Sequence, residues 1–335
     1  KIISSGYEKS AKYTPKAWGG VYKMSDANIV SKHEYKGNLF NTLLASKLKK
    51  LLKERKPDLI IGTHPFPMIA LSTLKKKYPY RNAFNSFFVP PLISVLTDYT
   101  AHSTYIQDEI DYYIAGDEYV KEVLISEGVD GDKIKPYGIP VEKSFLEHRE
   151  KSVVLEELGL APDKFTVLLM GGSFGAGNIK DTLKELLEID RDFQIIVITG
   201  RNETLKEKLE KSLEKHDIDK NISILGFTQD MNDILSAVDI IVSKPGGLTT
   251  TECLLKELPM IIPYYIPGQE EENMDFLSNC GAALRTSKKF TISVLLKVLI
   301  DNPMRMELLK NNIKSVKKQN TAEDIANLVS NILGY

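Results

Sequence analysis

Three loops of this sequence combine glycine with hydroxyl, carboxylate or amide side chains, and each follows a short apolar run. They lie at residues 171–175 (Gly-Gly-Ser-Phe-Gly), 243–252 (Ser-Lys-Pro-Gly-Gly-Leu-Thr-Thr-Thr-Glu) and 267–273 (Pro-Gly-Gln-Glu-Glu-Glu-Asn). Glycine lets the backbone approach a ligand closely, and the free N–H groups at the start of a following helix favour phosphate. A plain strand–helix turn is the alternative for the first loop, and a solvated acidic turn is the alternative for the third.

The second loop has the most specific chemistry. Gly246 and Gly247 expose backbone amides, and Thr249 and Thr250 add hydroxyl donors at the positive end of the predicted helix. Glu252, about one turn further, can accept two hydrogen bonds from the 2′,3′-diol of a ribose. The alternative makes Thr249 a helix cap and Glu252 a favourable charge near the helix start. A second glycine-rich loop in the same region favours nucleotide binding.

The elements around these loops alternate regularly. Apolar runs at 165–170, 193–199, 222–225, 240–242 and 259–263 are separated by helical patterns and short loops. This alternation predicts a doubly wound, parallel α/β sheet. Ligands of such sheets bind beyond the carboxyl ends of the strands, which is where the three loops lie.

The N-terminal part repeats this organisation. We predict strands at 58–62, 92–97, 112–115 and 134–137 and helices at 39–56 and 118–127. With 335 residues, the chain is long enough for two α/β domains. We place an N-terminal domain at 1–142 and a second at 143–305, and expect a helix at 306–335 to pack back on the first.

Charge is distributed unevenly along the chain. The whole sequence has a net charge of −1, but residues 1–81 hold 17 basic and 5 acidic residues, a local net of +12. In the predicted helix at 39–56, Lys47, Lys50 and Lys53 alternate with leucines. A solvated surface is one interpretation, and nucleic acid is disfavoured because no binding module is present. Anionic lipid is favoured, since each basic residue near such a surface contributes about 1 kcal/mol.

Other features exclude several classes of protein. Cys253 and Cys280 have no metal-ligand or CxxC spacing and are expected to be reduced thiols. No secretory signal is visible, and no apolar run reaches the roughly 18 residues of a membrane span. Asp-x-Asp triplets at 130–132, 190–192 and 217–219 lie in polar connections, so we predict turns there and no metal site.

In their order and spacing, the three loops resemble the donor-binding half of a GT-B glycosyltransferase. More narrowly, the sequence is similar to the family 28-like group of processive diacylglycerol glucosyltransferases and monogalactosyldiacylglycerol synthases. Segments of the N-terminal half agree with this group, at 13–19, 63–65, 94–102 and 138–141. The resemblance spans nearly the whole chain and implies two Rossmann-like domains that face a cleft.

The resemblance implies transfer of a hexose from a UDP-sugar to diacylglycerol or a glycosyl-diacylglycerol, with inversion at the anomeric carbon. Glucose is favoured, and galactose is the other option. A general base must take the acceptor proton, and helix N-termini would stabilise the departing UDP without a metal or another cofactor. The expected partners are UDP-hexose, diacylglycerol and an anionic membrane surface, with no nucleic acid. The expected location is cytoplasmic, at the inner face of the cell membrane.

The resemblance also assigns roles to residues. Glu252 is expected to hold the ribose, Phe227 to lie by the uracil, and Ser173 and Thr249 to bind phosphate. Gln269 and Glu270 are expected to contact the hexose. The full predicted donor set is Gly172, Ser173, Phe174, Gly175, Arg201, Gly226, Phe227, Ser243, Lys244, Pro245, Gly246, Gly247, Leu248, Thr249, Glu252, Gln269, Glu270 and Asn273. The predicted acceptor and membrane set is Trp18, Lys47, Lys50 and Lys53.

One departure from the family concerns the catalytic base. The family's first strand and Gly-Gly-Gly-His loop do not occur in this sequence. We expect that segment to precede residue 1, and His64 and Asp98, both at predicted strand ends, are the candidates within the chain. A UDP-sugar 2-epimerase of similar fold and a non-catalytic UDP-sugar sensor remain alternative functions.

Overall fold

A computed structural model describes residues 39–80, 87–171, 178–214 and 218–335. The described residues form two compact units. Among the described residues, the four-stranded unit contains those from 39 to 140 together with Asn320–Tyr335, and the six-stranded unit contains those from 141 to 319. No described helix is both long enough and apolar enough to cross a bilayer.

The four-stranded unit is a parallel sheet in the order β1-β2-β3-β4. Its strands are β1 (Ile60–Gly62), β2 (Leu92–Val95), β3 (Tyr112–Ile114) and β4 (Ile134–Lys135). Its first helices are α1 (Leu39–Arg55), α2 (Pro65–Lys77) and α3 (Glu118–Ser126). All four strands coincide with predicted ones. The predicted strand at 58–62 begins two residues before β1, and the other three predicted strands end one or two residues further on because the last apolar residues already belong to the loops.

The six-stranded unit is also parallel. Its strands are β5 (Thr166–Met170), β6 (Gln194–Ile198), β7 (Ile222–Leu225), β8 (Ile240–Val242), β9 (Met260–Ile262) and β10 (Ala283–Arg285). Its helices are α4 (Lys151–Glu157), α5 (Ile179–Leu187), α6 (Glu203–Leu213), α7 (Met231–Ala237), α8 (Gly247–Leu255), α9 (Gln269–Asn279), α10 (Ile292–Asp301) and α11 (Pro303–Val316). The predicted doubly wound α/β class is confirmed.

The strand order of this sheet is β10-β9-β8-β5-β6-β7. The chain runs outward from β5 through β6 to β7 and then returns to the other side of β5 as β8. The direction of winding therefore reverses between β5 and β8. In doubly wound folds, ligands bind in a crevice beside the carboxyl ends of the strands at such a reversal.

The C-terminal part corrects the predicted helix at 306–335. Two helices occupy it, α11 and α12 (Thr321–Leu333), with a break between them. Met306 and Leu309 of α11 are buried in the core of the six-stranded unit. Only α12 belongs to the four-stranded unit, where Ile325 and Leu328 pack with buried residues of β2 and β3. Hydrophobic packing therefore places α11 in one core and α12 in another.

The cysteines agree with their prediction. Cys253 is buried on α8 and Cys280 is partly buried just after α9, and both are free thiols. Burial raises the pKa of the Cys253 thiol well above its ordinary value. A thiol held protonated in this way is a poor nucleophile and acts as a small apolar core residue.

Candidate active site

Two loops follow the strands between which the winding of the six-stranded sheet reverses. The loop after β5 begins at Gly171, and its predicted phosphate-binding residues Gly172, Ser173, Phe174 and Gly175 lie outside the described residues. The loop after β8 is fully described and leads from Ser243 into α8. The geometry of the site is therefore built from the second loop and its neighbours.

The start of α8 is suited to an anion. Gly246 is the N-cap residue with extended backbone, and no side chain caps the helix. The first-turn amides of Gly247, Leu248 and Thr249 have no partner within the helix and point out of its positive end. Because Thr249 is the third helical residue, the interpretation of Thr249 as the cap is wrong. The arrangement leaves several N–H donors for phosphate oxygens.

Thr250 does not contribute in the predicted way. Its side chain is fully buried, and its hydroxyl is enclosed without a hydrogen-bond partner. Ser243, Pro245 and Gly247 are also buried, whereas Leu248 is exposed. Among the donor residues predicted between positions 243 and 252, the accessible ones are Lys244, Gly246, Leu248, Thr249 and Glu252.

Buried polar contacts join the loop after β8 to α9. The carboxylate of Glu270 forms an ion pair with Lys244 Nζ and accepts a hydrogen bond from the Ile266 amide at 2.9 Å. Asn273, fully buried, donates from Nδ2 to the Pro245 carbonyl at 3.0 Å. We call these contacts the loop brace. They attach the loop after β8 to α9 through Lys244 and Pro245, which are adjacent in the sequence.

The loop brace changes the interpretation of two predicted sugar ligands. Both oxygens of Glu270 and the amide nitrogen of Asn273 are in contact with protein groups. These side chains therefore position the loops. Gln269, the first residue of α9, is only partly buried and is the predicted hexose ligand of this segment that remains accessible. Gly268, before it, has a φ of 109°, a backbone conformation that favours glycine.

Glu252 lies further along α8, and its carboxylate has no hydrogen bond or ion pair with any described residue. Burial raises the pKa of its carboxyl group to about 7, and Glu142 adds to the shift by charge repulsion. Since Glu252 is the sixth residue of α8, it lies beyond the first turn, where the helix dipole acts most strongly. A partly buried carboxylate of this kind is costly unless a ligand supplies donors, and a ribose diol supplies two.

An arginine and an aromatic ring meet at the carboxyl ends of β6 and β7. The Arg201 guanidinium carbon lies 5.1 Å from the centroid of the Phe227 ring, and Phe227 is 57% exposed. Gly226 precedes the ring, and a Cβ at that position would lie 3.1 Å from Glu203 Oε1. Such a pair offers a flat surface for a heterocycle and a positive charge beside it. The sequence suggested both residues but not their contact.

In the four-stranded unit, His64 caps α2. Its Nδ1 accepts a hydrogen bond from the Phe66 amide at 3.3 Å, and desolvation lowers its pKa. A neutral imidazole that accepts at Nδ1 carries its proton on Nε2. Nε2 is then a donor and cannot act as a base. The cap geometry therefore disfavours His64 as the general base.

Asp98 follows β2 and is partly buried. Desolvation raises the pKa of Tyr105 to about 12, and the negative charge of Asp98 adds to this rise. Nearby, the buried His102 accepts from the Thr104 amide at 3.1 Å and caps a short 3₁₀ helix. The sequence quoted His102 within a family segment without assigning it a role, and the structure gives it a structural one.

The predicted lipid-facing residues lie on α1. Lys47, Lys50 and Lys53 are exposed, and the only ion pair among them within the described residues is a 4.0 Å contact from Lys50 to Glu54. Trp18 lies outside the described residues. The sequence missed a neighbouring contact in which Lys49 donates to the Tyr78 hydroxyl at 2.7 Å. Long-range contacts of this kind have no periodic signal.

Two Asp-x-Asp triplets are confirmed as turns. Asp130 caps a short 3₁₀ helix by accepting from the Asp132 amide, and residues 190–192 form the connection from α5 to β6. The triplet at 217–219 lies partly outside the described residues.

Comparison with known proteins shows the family of this chain. Residues 1–141 match the model of the monogalactosyldiacylglycerol (MGDG) synthase family, and residues 166–329 match the glycosyltransferase family 28 C-terminal domain. A relative from Bacillus licheniformis, described as a processive diacylglycerol beta-glucosyltransferase, is 32% identical over 291 residues. The alignment covers 87% of this chain and 73% of the relative.

Solved structures agree on the fold. Acinetobacter baumannii MurG has a TM-score of 0.61 at 17% identity, covering 86% of this chain and 77% of its own. A UDP-GlcNAc 2-epimerase from Neisseria meningitidis has a TM-score of 0.60 at 17% identity, covering 86% and 80%. At this identity the likeness shows the GT-B fold alone. With the family models and the Bacillus relative, the sequence places the chain in the family of UDP-sugar-dependent glycosyltransferases that contains the processive diacylglycerol glucosyltransferases and monogalactosyldiacylglycerol synthases.

Proposed function

We propose that this chain transfers glucose from UDP-glucose to the free hydroxyl of diacylglycerol or of a glycosyl-diacylglycerol, with inversion at the anomeric carbon. The observation that carries the proposal is Glu252, a partly buried carboxylate with no side-chain partner among the described residues, on the helix that follows β8 and whose start has no side-chain cap. The name of the Bacillus relative supports diacylglycerol as acceptor and glucose as the transferred sugar.

In the proposed binding mode, UDP lies along the carboxyl edge of the six-stranded sheet. The ribose diol donates to Glu252, and the phosphates accept from the first-turn amides of α8. The uracil ring lies against Phe227. These groups come from α8 and from the end of β7, so a single rigid sheet carries all of them.

Two charges develop during the reaction. The acceptor hydroxyl loses its proton to a base, and the departing UDP gains negative charge. The amides at the start of α8 stabilise the second charge with no metal ion. For the first charge, Asp98 is the better candidate among the described residues, because the cap bond of His64 occupies Nδ1.

The acceptor is a membrane lipid, so the enzyme must reach a bilayer. We propose peripheral binding to the cytoplasmic face of the cell membrane through the basic face of α1. Lys47, Lys50 and Lys53 support this, since all three are exposed on one helix in the strongly basic part of the sequence.

The test is a product assay that supplies UDP-glucose and UDP-galactose in equal amounts with diacylglycerol, in buffer containing EDTA. The proposal expects a glucosylated lipid in excess over a galactosylated one, and undiminished turnover in EDTA. An excess of galactosylated lipid would show that the donor is UDP-galactose. Turnover restored only by added metal would contradict the metal-free mechanism. Tight UDP binding without any product would indicate a sensor.

A further inference from the structure

A tight turn of the six-stranded unit carries two lysines and a phenylalanine at its tip. The Ser287 amide donates to the Phe290 carbonyl at 2.8 Å, and the Phe290 amide donates to Ser287 Oγ at 3.2 Å. These bonds close the turn and leave Lys288, Lys289 and Phe290 exposed. The phenylalanine ring is 59% exposed.

An apolar groove of about 270 Å³ continues from this turn between α10 and α11. Val294 and Val298 of α10 and Leu308 of α11 line it, and each remains 39–57% exposed. We call the turn and the groove together the Phe290 surface. Apolar side chains that lie together at a surface mark a contact with another apolar partner.

The segment that carries the Phe290 surface is basic, and Glu185 of α5 accepts a hydrogen bond from the Ser293 amide beside it at 3.0 Å. Residues 284–312 hold six lysines and arginines and two acidic residues, a local net of +4, in a part of the chain (82–335) whose net charge is −13. Asp301 is bound to Arg191 at 2.7 Å, and Glu307 lies 3.8 Å from Lys310. Arg305 is the only charged residue that lines the groove itself.

We propose that the Phe290 surface is a lipid contact of the six-stranded unit, in which Phe290 and Leu308 enter the acyl boundary of an anionic bilayer. Lys288, Lys289 and Arg305 then face the lipid phosphates. An aromatic ring beside lysines, with apolar side chains behind it, suits a membrane interface. The proposal rests on the proposed function in one respect, since an acceptor held in a bilayer brings the enzyme to that surface.

Charge argues against a second copy of the chain as the occupant. A two-fold contact would set the same patch against itself and bring Lys288 and Lys289 close to their own copies. Like charges at such a contact are unfavourable, whereas anionic headgroups neutralise them. The surface therefore favours lipid over self-association.

The first experiment measures binding of the full chain to vesicles of phosphatidylglycerol and phosphatidylcholine by sedimentation. The variant carries Lys288→Gln, Lys289→Gln and Phe290→Ser, and its matched control carries Lys180→Gln and Lys208→Gln, two exposed lysines elsewhere on the same unit. We expect the variant to bind at least tenfold more weakly and the control to bind within twofold of the parent. Equal binding by variant and parent would overturn the proposal.

A second experiment reports on the surface directly. Phe290→Trp is made in a Trp18→Phe background, and its fluorescence is measured with vesicles that contain brominated lipid. Quenching is expected at position 290 and not for Val153→Trp, an exposed site on α4 of the same unit. Absence of quenching at position 290 would overturn the proposal.

Two further readouts separate this proposal from others. UDP affinity and turnover on diacylglycerol dispersed in detergent test the proposed function, and both should be unchanged in the variant. A fall in that turnover, or a change from dimer to monomer in light scattering, would assign the surface to catalysis or to self-association instead.

Discussion

The two units offer contrasting chemistry at the carboxyl ends of their strands. In the six-stranded unit, buried contacts from Glu270 and Asn273 hold the loop after β8, while Glu252 and the start of α8 keep hydrogen-bonding capacity for a ligand. In the four-stranded unit, His64 uses its Nδ1 to cap a helix, and the lysines of α1 supply exposed positive charge. The described residues therefore place polar groups that are open to a ligand in the six-stranded unit and exposed positive charge in the four-stranded unit.

The largest expected effect comes from breaking the loop brace. Lys244→Met removes the cation that faces Glu270, a carboxylate only 5% exposed, and leaves a buried charge without its partner. We expect a loss of about 3 kcal/mol in the free energy of unfolding, measured by urea denaturation.

Glu270→Gln in the same background supplies the control for that measurement. It removes the buried charge, and the double variant should recover part of the lost stability. Equal stability of Lys244→Met and the parent would show that the loop is not held by this pair.

Removal of the basic face of α1 tests the contribution of the four-stranded unit to membrane binding. Lys47→Gln, Lys50→Gln and Lys53→Gln together should weaken binding to phosphatidylglycerol vesicles by about 100-fold, because each lysine contributes about 1 kcal/mol near an anionic surface. Cosedimentation measures the change, and the loss should shrink at high salt. Lys121→Gln, at an exposed helix of the same unit, is the control.

The ribose assignment of Glu252 predicts a smaller loss. Glu252→Ala removes two charge-assisted hydrogen bonds and should weaken UDP binding by about 30-fold in calorimetry. The parent should also discriminate against 2′-deoxy-UDP, and the variant should not. Unchanged UDP affinity in Glu252→Ala would refute the assignment.

The raised pKa of Glu252 predicts a dependence on pH. With a pKa of about 7 in the free protein, the carboxyl is mostly protonated at pH 6 and mostly ionised at pH 8. The ionised form accepts both diol hydrogen bonds, so UDP affinity should rise about tenfold over this interval. Glu252→Gln should retain only the part of the profile that comes from UDP itself, and an identical profile in both proteins would contradict the account.

The sequence predicted most strands of both sheets because their signals are local. Apolar runs that end in glycine-rich loops mark β5, β6 and β8, and the spacing from Gly246 to Glu252 is short enough to interpret within one helix. The pairing of Lys244 with Glu270 spans 26 residues and depends on where α9 packs. No local pattern encodes such a contact.

The error at the C-terminus has a similar origin. The break between α11 and α12 contains Lys317, Lys318 and Gln319 and no glycine or proline, so the helical pattern appeared continuous. What ends α11 is that Met306 and Leu309 pack into one core and Ile325 into another. The sequence alone does not show that the two helices pack into different hydrophobic cores.

The most direct test of the central claim follows UDP-glucose by ³¹P NMR, with and without diacylglycerol. A glucosyltransferase of this kind should release UDP at a rate that rises with diacylglycerol and should leave the sugar nucleotide unaltered without it. Formation of an epimerised UDP-sugar in the absence of lipid would contradict the account and would indicate an epimerase built on the same fold.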